Sequence, residues 1–101
     1  TINCNGYHAI MAVASTCLEA TLGGLILISW SSFNIVNACT YTYFARAVGS
    51  GSCIAFGGVT YQGASVTGCE ALVANNAVID RGGTTIPGST SYVAQNGGIC
   101  L

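Results

Sequence analysis

Thr67 to Ile79 reads TGCEALVANNAVI, and what this stretch becomes decides the fold. Thr67 with Glu70 three positions later matches a capping box, in which the hydroxyl and the carboxylate each satisfy an orphan N–H of a first helical turn. Cys69, Leu72, Val73 and Val78 then supply an apolar stripe, and Asp80-Arg81-Gly82-Gly83 closes the segment with glycine near the C-cap. The pattern predicts a helix over residues 67–79. An earlier one is expected from His8 to Ala20 (HAIMAVASTCLEA). That run lacks Gly and Pro and sets Ile10, Val13, Ala14 and Cys17 at helical spacing before Gly23 and Gly24 stop it.

Between and around these segments the chain reads as strands. Residues 1–6 (TINCNG) form a short β segment, and Gly24 to Trp30 is an aliphatic run suited to a strand covered on both faces. Asn34 to Val48 alternates, with Cys39, Tyr41 and Tyr43 on one face and Thr40, Thr42 and Phe44 on the other. Gly49 to Gly51 connects it to Ser52 to Tyr61, where Gly57 and Gly58 suggest a bulge or bend, so an antiparallel meander is expected. A last strand is expected near Ser91 to Gln95, and no internal repeat is evident.

Composition narrows the class. The 101 residues fit one domain, 1–101. Cys4, Cys17, Cys39, Cys53, Cys69 and Cys100 are an even set with no CxxC among them, which argues for three disulfides and an oxidising compartment rather than for a zinc site. The first residue is Thr1, as expected of a secreted protein whose signal has been removed. Charged residues are 5% of the chain, with Arg46 and Arg81 the only cationic side chains apart from His8. Such a chain cannot grip a phosphate backbone or an anionic bilayer, so nucleic acid is excluded as a partner. The most apolar run, Leu22 to Trp30, falls far short of the ~20 residues a spanning helix needs.

Catalytic groups are scarce. His8, Glu19, Glu70, Asp80 and the two arginines are the whole supply, and nothing in the sequence sets a carboxylate beside His8. No enzyme activity and no cofactor are expected. Glu70 reads as a capping carboxylate, and Asp80 with Arg81 as a solvated helix end. Tyr41, Tyr43, Tyr61 and Tyr92 with Trp30 either form an aromatic surface for sugar or protein, or pack across strands in the core. Arg46, Tyr41, Tyr43 and Tyr92 are the candidate target-binding residues.

Ile2-Asn3-Cys4-x-Gly6, a helix ending in Cys17, the strand Ser50-Gly51-Ser52-Cys53-Ile54-Ala55-Phe56, Thr67-Gly68 before Cys69, and Thr90-Ser91-Tyr92-Val93 ahead of Cys100 follow one another over nearly the whole chain. In that order they resemble the killer protein four family of small secreted fungal killer toxins, and more distantly the fungal necrosis-inducing effector domain. The resemblance implies an α+β fold: a disulfide-stabilised α/β-sandwich with one antiparallel sheet of about five strands and two helices packed on one face. It also implies that Cys17 bridges to Cys69 and Cys39 to Cys100, with Cys4 and Cys53 as the remaining pair. One departure bears on activity, since the family's best-known member acts through a lysine on its C-terminal strand and this chain has no lysine.

The expectation is therefore a secreted, extracellular, monomeric, non-enzymatic toxin-like or effector protein. It would act in antimicrobial competition or virulence by binding a protein or glycan on a target cell surface. The alternatives are a structural or surface-active cell-wall protein, suggested by apolar content with low charge, and a small lectin.

Overall fold

The computed structural model describes residues 2–10 as backbone and residues 16–101 with their side chains. Ten strands follow one another and no helix occurs among the described residues: β1 (Ile2–Ile10), β2 (Thr16–Thr21), β3 (Leu25–Ile35), β4 (Cys39–Val48), β5 (Cys53–Gly57), β6 (Thr60–Gly63), β7 (Val66–Ala74), β8 (Val78–Asp80), β9 (Val93–Gln95) and β10 (Ile99–Cys100). They form two sheets. The first runs β1-β3-β5-β8-β10 with β6 also on β3, and the second runs β2-β4-β7-β9.

Every strand pairing among the described residues is parallel. Parallel neighbours need a crossover, usually a helix. Here the crossover is a strand of the opposite sheet, so the chain coils with the connectivity of a parallel β-helix. In backbone register Ile2 lies on Ile26, Ile26 on Ile54, Ile54 on Ile79 and Ile79 on Cys100. From Ile26 onward these positions pack into one core, joined by Phe44, Ala45, Ala47 and Val73 from the second sheet. Its aromatic end holds Phe33 stacked on Tyr61 at 5.0 Å and Phe44 edge-on to Tyr61 at 5.2 Å.

One corner recurs in each coil. Leu22-Gly23, Gly49 with Gly51, Asn75-Asn76 and Asn96-Gly97 all carry positive φ, which bends the second sheet back into the first. Successive corners are tied by backbone bonds such as Cys53 N–H to Gly24 O, Val78 N–H to Ser52 O and Ile99 N–H to Ala77 O. Ser52, itself buried, accepts from Gly23 N–H at 3.0 Å and donates to the Val48 carbonyl at 2.9 Å.

The two-helix antiparallel sandwich is therefore incorrect for this chain, and 67–79 shows why. Thr67 caps no helix; its hydroxyl lies 2.6 Å from that of Thr40 on the neighbouring coil. Gly68 has φ +107, and a Cβ there would run into the Tyr41 carbonyl oxygen. Asn75 and Asn76, both left-handed, break the stretch into β7 and β8. The apolar stripe is a run buried on both sides, Ala71 to Ala74. The first expected helix fails at both ends, since His8 to Ile10 belong to β1 and Thr16–Thr21 is β2, while Met11 to Ser15 lie outside the described residues. The meander fails because 34–48 and 52–61 never pair with each other in an antiparallel hairpin: Ile35 ends β3, β4 begins at Cys39, and β5 and β6 lie parallel on β3. The alternation read over Cys39 to Phe44 holds for Cys39 to Thr42 and then shifts at an irregularity in register between Thr40 and Tyr43, which leaves Phe44 fully buried.

Two glycines separate the two folds experimentally. Gly23 also has positive φ but meets nothing within 4 Å of an added Cβ, so Gly23→Ala should cost only about 1 kcal/mol of backbone strain. Gly68→Ala forces a clash with backbone as well and should cost about 3 kcal/mol or more in urea unfolding. In a helix the same change would stabilise the protein by roughly 0.5–1 kcal/mol, so a more stable Gly68→Ala protein would contradict the coil.

Candidate binding surfaces

Strands β2 and β4 run side by side in the second sheet, with Glu19 beside Arg46 and Thr16 beside Tyr43. This register builds a shallow groove of about 230 Å³ lined by Thr16, Glu19, Thr42, Tyr43 and Arg46. Arg46 Nη1 donates to Glu19 Oε1 in an ion pair at the groove, both side chains remaining partly exposed. An exposed pair of this kind contributes on the order of 0.5 kcal/mol to stability, so its placement matters more for recognition than for folding. The groove thus offers two hydroxyls, a fork of N–H donors, a carboxylate and one tyrosine ring.

Two of the four residues expected to bind a target, Arg46 and Tyr43, therefore come together. The other two do not join them. Tyr41 is a core residue, 2% exposed, edge-on to Phe44 at 5.4 Å. Tyr92 lies toward the C-terminal end of the coil, where Arg81 sits 5.0 Å above its ring and also donates Nε to the Leu101 carbonyl at 2.9 Å. Tyr61, the remaining tyrosine with a described side chain, packs against the core. Sequence reasoning misses Glu19, Thr16 and Thr42. The signal of Glu19 and Thr16 is available only through the coil register, because they sit on a different coil from Arg46, whereas Thr42 shares β4 with Tyr43 and Arg46 and is missed because simple alternation sets it on the face opposite Tyr43.

A second surface is apolar. Leu25, Leu27 and Ser29 alternate with the buried Ile26 and Ile28 and so face outward, and the parallel register sets Cys53, Ala55 and Gly57 beside them. At its corner stands Trp30, 81% exposed, with positive φ and its ring over Gly58. Left-handed backbone is uncommon for so bulky a residue.

No disulfide joins any of the five cysteines with described side chains in this structure, so the pairings implied by the family resemblance, Cys17 with Cys69 and Cys39 with Cys100, are not seen in it. Cys17 and Cys39 both lie against Tyr41. Cys69 donates to the Ser91 carbonyl at 3.1 Å, Cys53 sits on the outer face of the first sheet, and Cys100 ends the isoleucine ladder. The side chains of Cys4 and His8 lie outside those described. Glu70 contributes its backbone N–H to the Thr90 carbonyl, and Asp80 accepts from Gly82 N–H at 3.0 Å, so neither sits at a helix end. Among the described residues no helix is long and apolar enough to cross a membrane.

No protein-family description, curated protein or solved structure matches this chain.

Burial, with the Cys17 and Cys39 thiols beside it, pushes the Tyr41 hydroxyl up to about 12 from its ordinary 10.0. The folded state then keeps a proton that the unfolded chain loses from about pH 10 upward, so this contribution is intact below pH 10 and is lost as pH rises toward 12. Ultraviolet titration of the reduced protein should show Tyr41 ionising late, near 12, and Tyr41→Phe should reduce the amplitude of the late step by one tyrosine. A late step of unchanged amplitude in Tyr41→Phe would contradict this assignment.

Proposed function

We propose that this chain is a secreted, non-enzymatic binding protein whose groove on β2 and β4 recognises a glycan on a target cell. The observation that carries this reading is the convergence of Glu19, Arg46, Tyr43, Thr16 and Thr42 on one small open site. A sugar ring presents an apolar face and a rim of hydroxyls. Tyr43 can cover the face, while the Arg46 fork and the Glu19 carboxylate can donate to and accept from the rim. A net charge of −1 suits a neutral ligand better than an anionic polymer. Action on a competing microbe or a host cell would follow from such binding. The killer-toxin lysine mechanism has no counterpart here.

A glycan array followed by calorimetry on any hit tests the groove. Tyr43→Ala and Arg46→Ala should each weaken binding about tenfold or more with the fold unchanged, as expected of aromatic and arginine anchors. Binding that survives both substitutions would place recognition elsewhere, and a silent array would remove the glycan reading.

A second reading, a surface-active wall protein, is favoured by the apolar outer face of the first sheet and the exposed Trp30. Lowered surface tension that falls away in Trp30→Ser and Leu27→Ser, but persists in the groove variants, would support it.

A further inference from the structure

The other corner of the coil, where the first sheet turns into the second, carries an opening of its own. It is a cleft of about 310 Å³ between the turn Gln62 to Val66 and the segment Thr85 to Gly88 of the next coil, with Ile35 and Tyr61 also in its wall. The Tyr61 ring is held in place, stacked on Phe33 and met edge-on by Phe44 and Phe56. Gln62, Ser65 and Thr85, all exposed, bring an amide and two hydroxyls to the rim, and no acidic or basic side chain lines the cleft. A site built this way suits an uncharged ligand with an apolar face and a polar edge.

A row of hydroxyls joins this cleft to the groove on β2 and β4. Val66, at the cleft, pairs with Cys39 at the start of β4. Thr67 follows it, exposed, with its hydroxyl 2.6 Å from that of Thr40 on the neighbouring coil. On the other side of Thr67, the Gly68 N–H donates to the Ser89 hydroxyl at 2.9 Å, and Ser89 directly follows Gly88 of the cleft. Thr42, two positions beyond Thr40 and exposed like it, already lines the groove. At about 3.3 Å per residue along β4 and about 4.8 Å per coil across it, the two openings lie roughly 14 Å apart.

We infer that the cleft is a second subsite for the ligand of the groove, and that this ligand is an extended, uncharged, β-linked glycan chain of several rings lying across the second sheet. The inference rests on the glycan reading of the groove. An extended chain sets its rings in line and can meet Thr40, Thr42, Thr67 and Ser65 in succession, each hydroxyl donating to or accepting from a ring hydroxyl. A single terminal sugar would reach one opening only. The ion pair of Glu19 with Arg46 then marks one end of the site, and the charge-free cleft the other.

Calorimetry with cello-, chito- and manno-oligosaccharides of one to six rings tests the inference. At least one series should bind weakly at two rings and about tenfold or more tightly at six, because the second subsite is engaged by a ligand already held at the first. Ser65→Trp, which fills the cleft, should return the hexamer to the affinity of the dimer and leave the dimer unchanged. Thr40→Val with Thr67→Val keeps β-branched side chains on the strands and should weaken the hexamer several-fold. Should Ser65→Trp fold poorly, Gln62→Ala with Thr85→Val reads the same cleft through smaller changes. Leu27→Ser, on the first sheet, should bind like the parent. Affinity that does not rise beyond two rings, or a hexamer indifferent to the cleft variants, would overturn the inference while leaving the groove reading intact if Tyr43→Ala still abolishes binding. Failure of all three series to bind would overturn it as well. Length-dependent binding that ignores both Tyr43→Ala and Arg46→Ala would remove the groove reading, and the inference with it.

Discussion

Backbone hydrogen bonding between successive coils is the constraint on which the rest of this structure depends. Parallel strands sit about 4.8 Å apart, so whatever one coil places at a position must tolerate a neighbour directly above and below. That requirement selects like on like: isoleucine on isoleucine through Ile26, Ile54 and Ile79, aromatic on aromatic for Phe33 and Tyr61, alanine and valine through Ala20, Ala47 and Val73. It also selects where side chains must vanish. Gly68 is fixed by the Tyr41 carbonyl of the adjacent coil, a contact invisible in any local pattern.

The same stacking makes the outer surface. Once alternate positions point inward, the residues between them form rows whose members come from distant parts of the chain. Glu19 meets Arg46 and Thr40 meets Thr67 for this reason alone. A chain with few charges can in this way concentrate one acid, one base and a tyrosine at a single groove while leaving the outer face of β3 and β5 apolar.

Local strand character was legible in the sequence. Gly24 to Trp30 falls almost wholly within β3, the bend at Gly57-Gly58 separates β5 from β6, and the expected last strand contains β9. Pairing was not legible, because hydrophobic alternation says which residues face inward and not which strand lies beside which. The helix expected over 67–79 arose from a motif that is only as strong as its context. Thr-x-x-Glu caps a helix when the following residues can be helical, and Asn75-Asn76 cannot both continue one with φ of 55 and 64. The repeat was present in an unfamiliar form. Leu22-Gly23-Gly24, Gly49-Ser50-Gly51, Asn75-Asn76 and Asn96-Gly97-Gly98 punctuate the chain at nearly even intervals, once per coil, as repeat architectures require. Of the candidate site, Arg46 and Tyr43 were legible from residue type, while Glu19 and Thr16, on the neighbouring coil, required the register.

The central claim is the parallel register of the coil, and nuclear Overhauser contacts in the folded protein address it directly. The account predicts inter-strand amide-to-α contacts that step from Ile26 to Ile54 and from Ile54 to Ile79, together with the parallel pairing of Arg46 with Leu72. Successive amide-to-amide contacts through residues 69–79, or close α-to-α contacts between the 39–48 and 53–61 segments, would instead show a helix or an antiparallel meander and would contradict it.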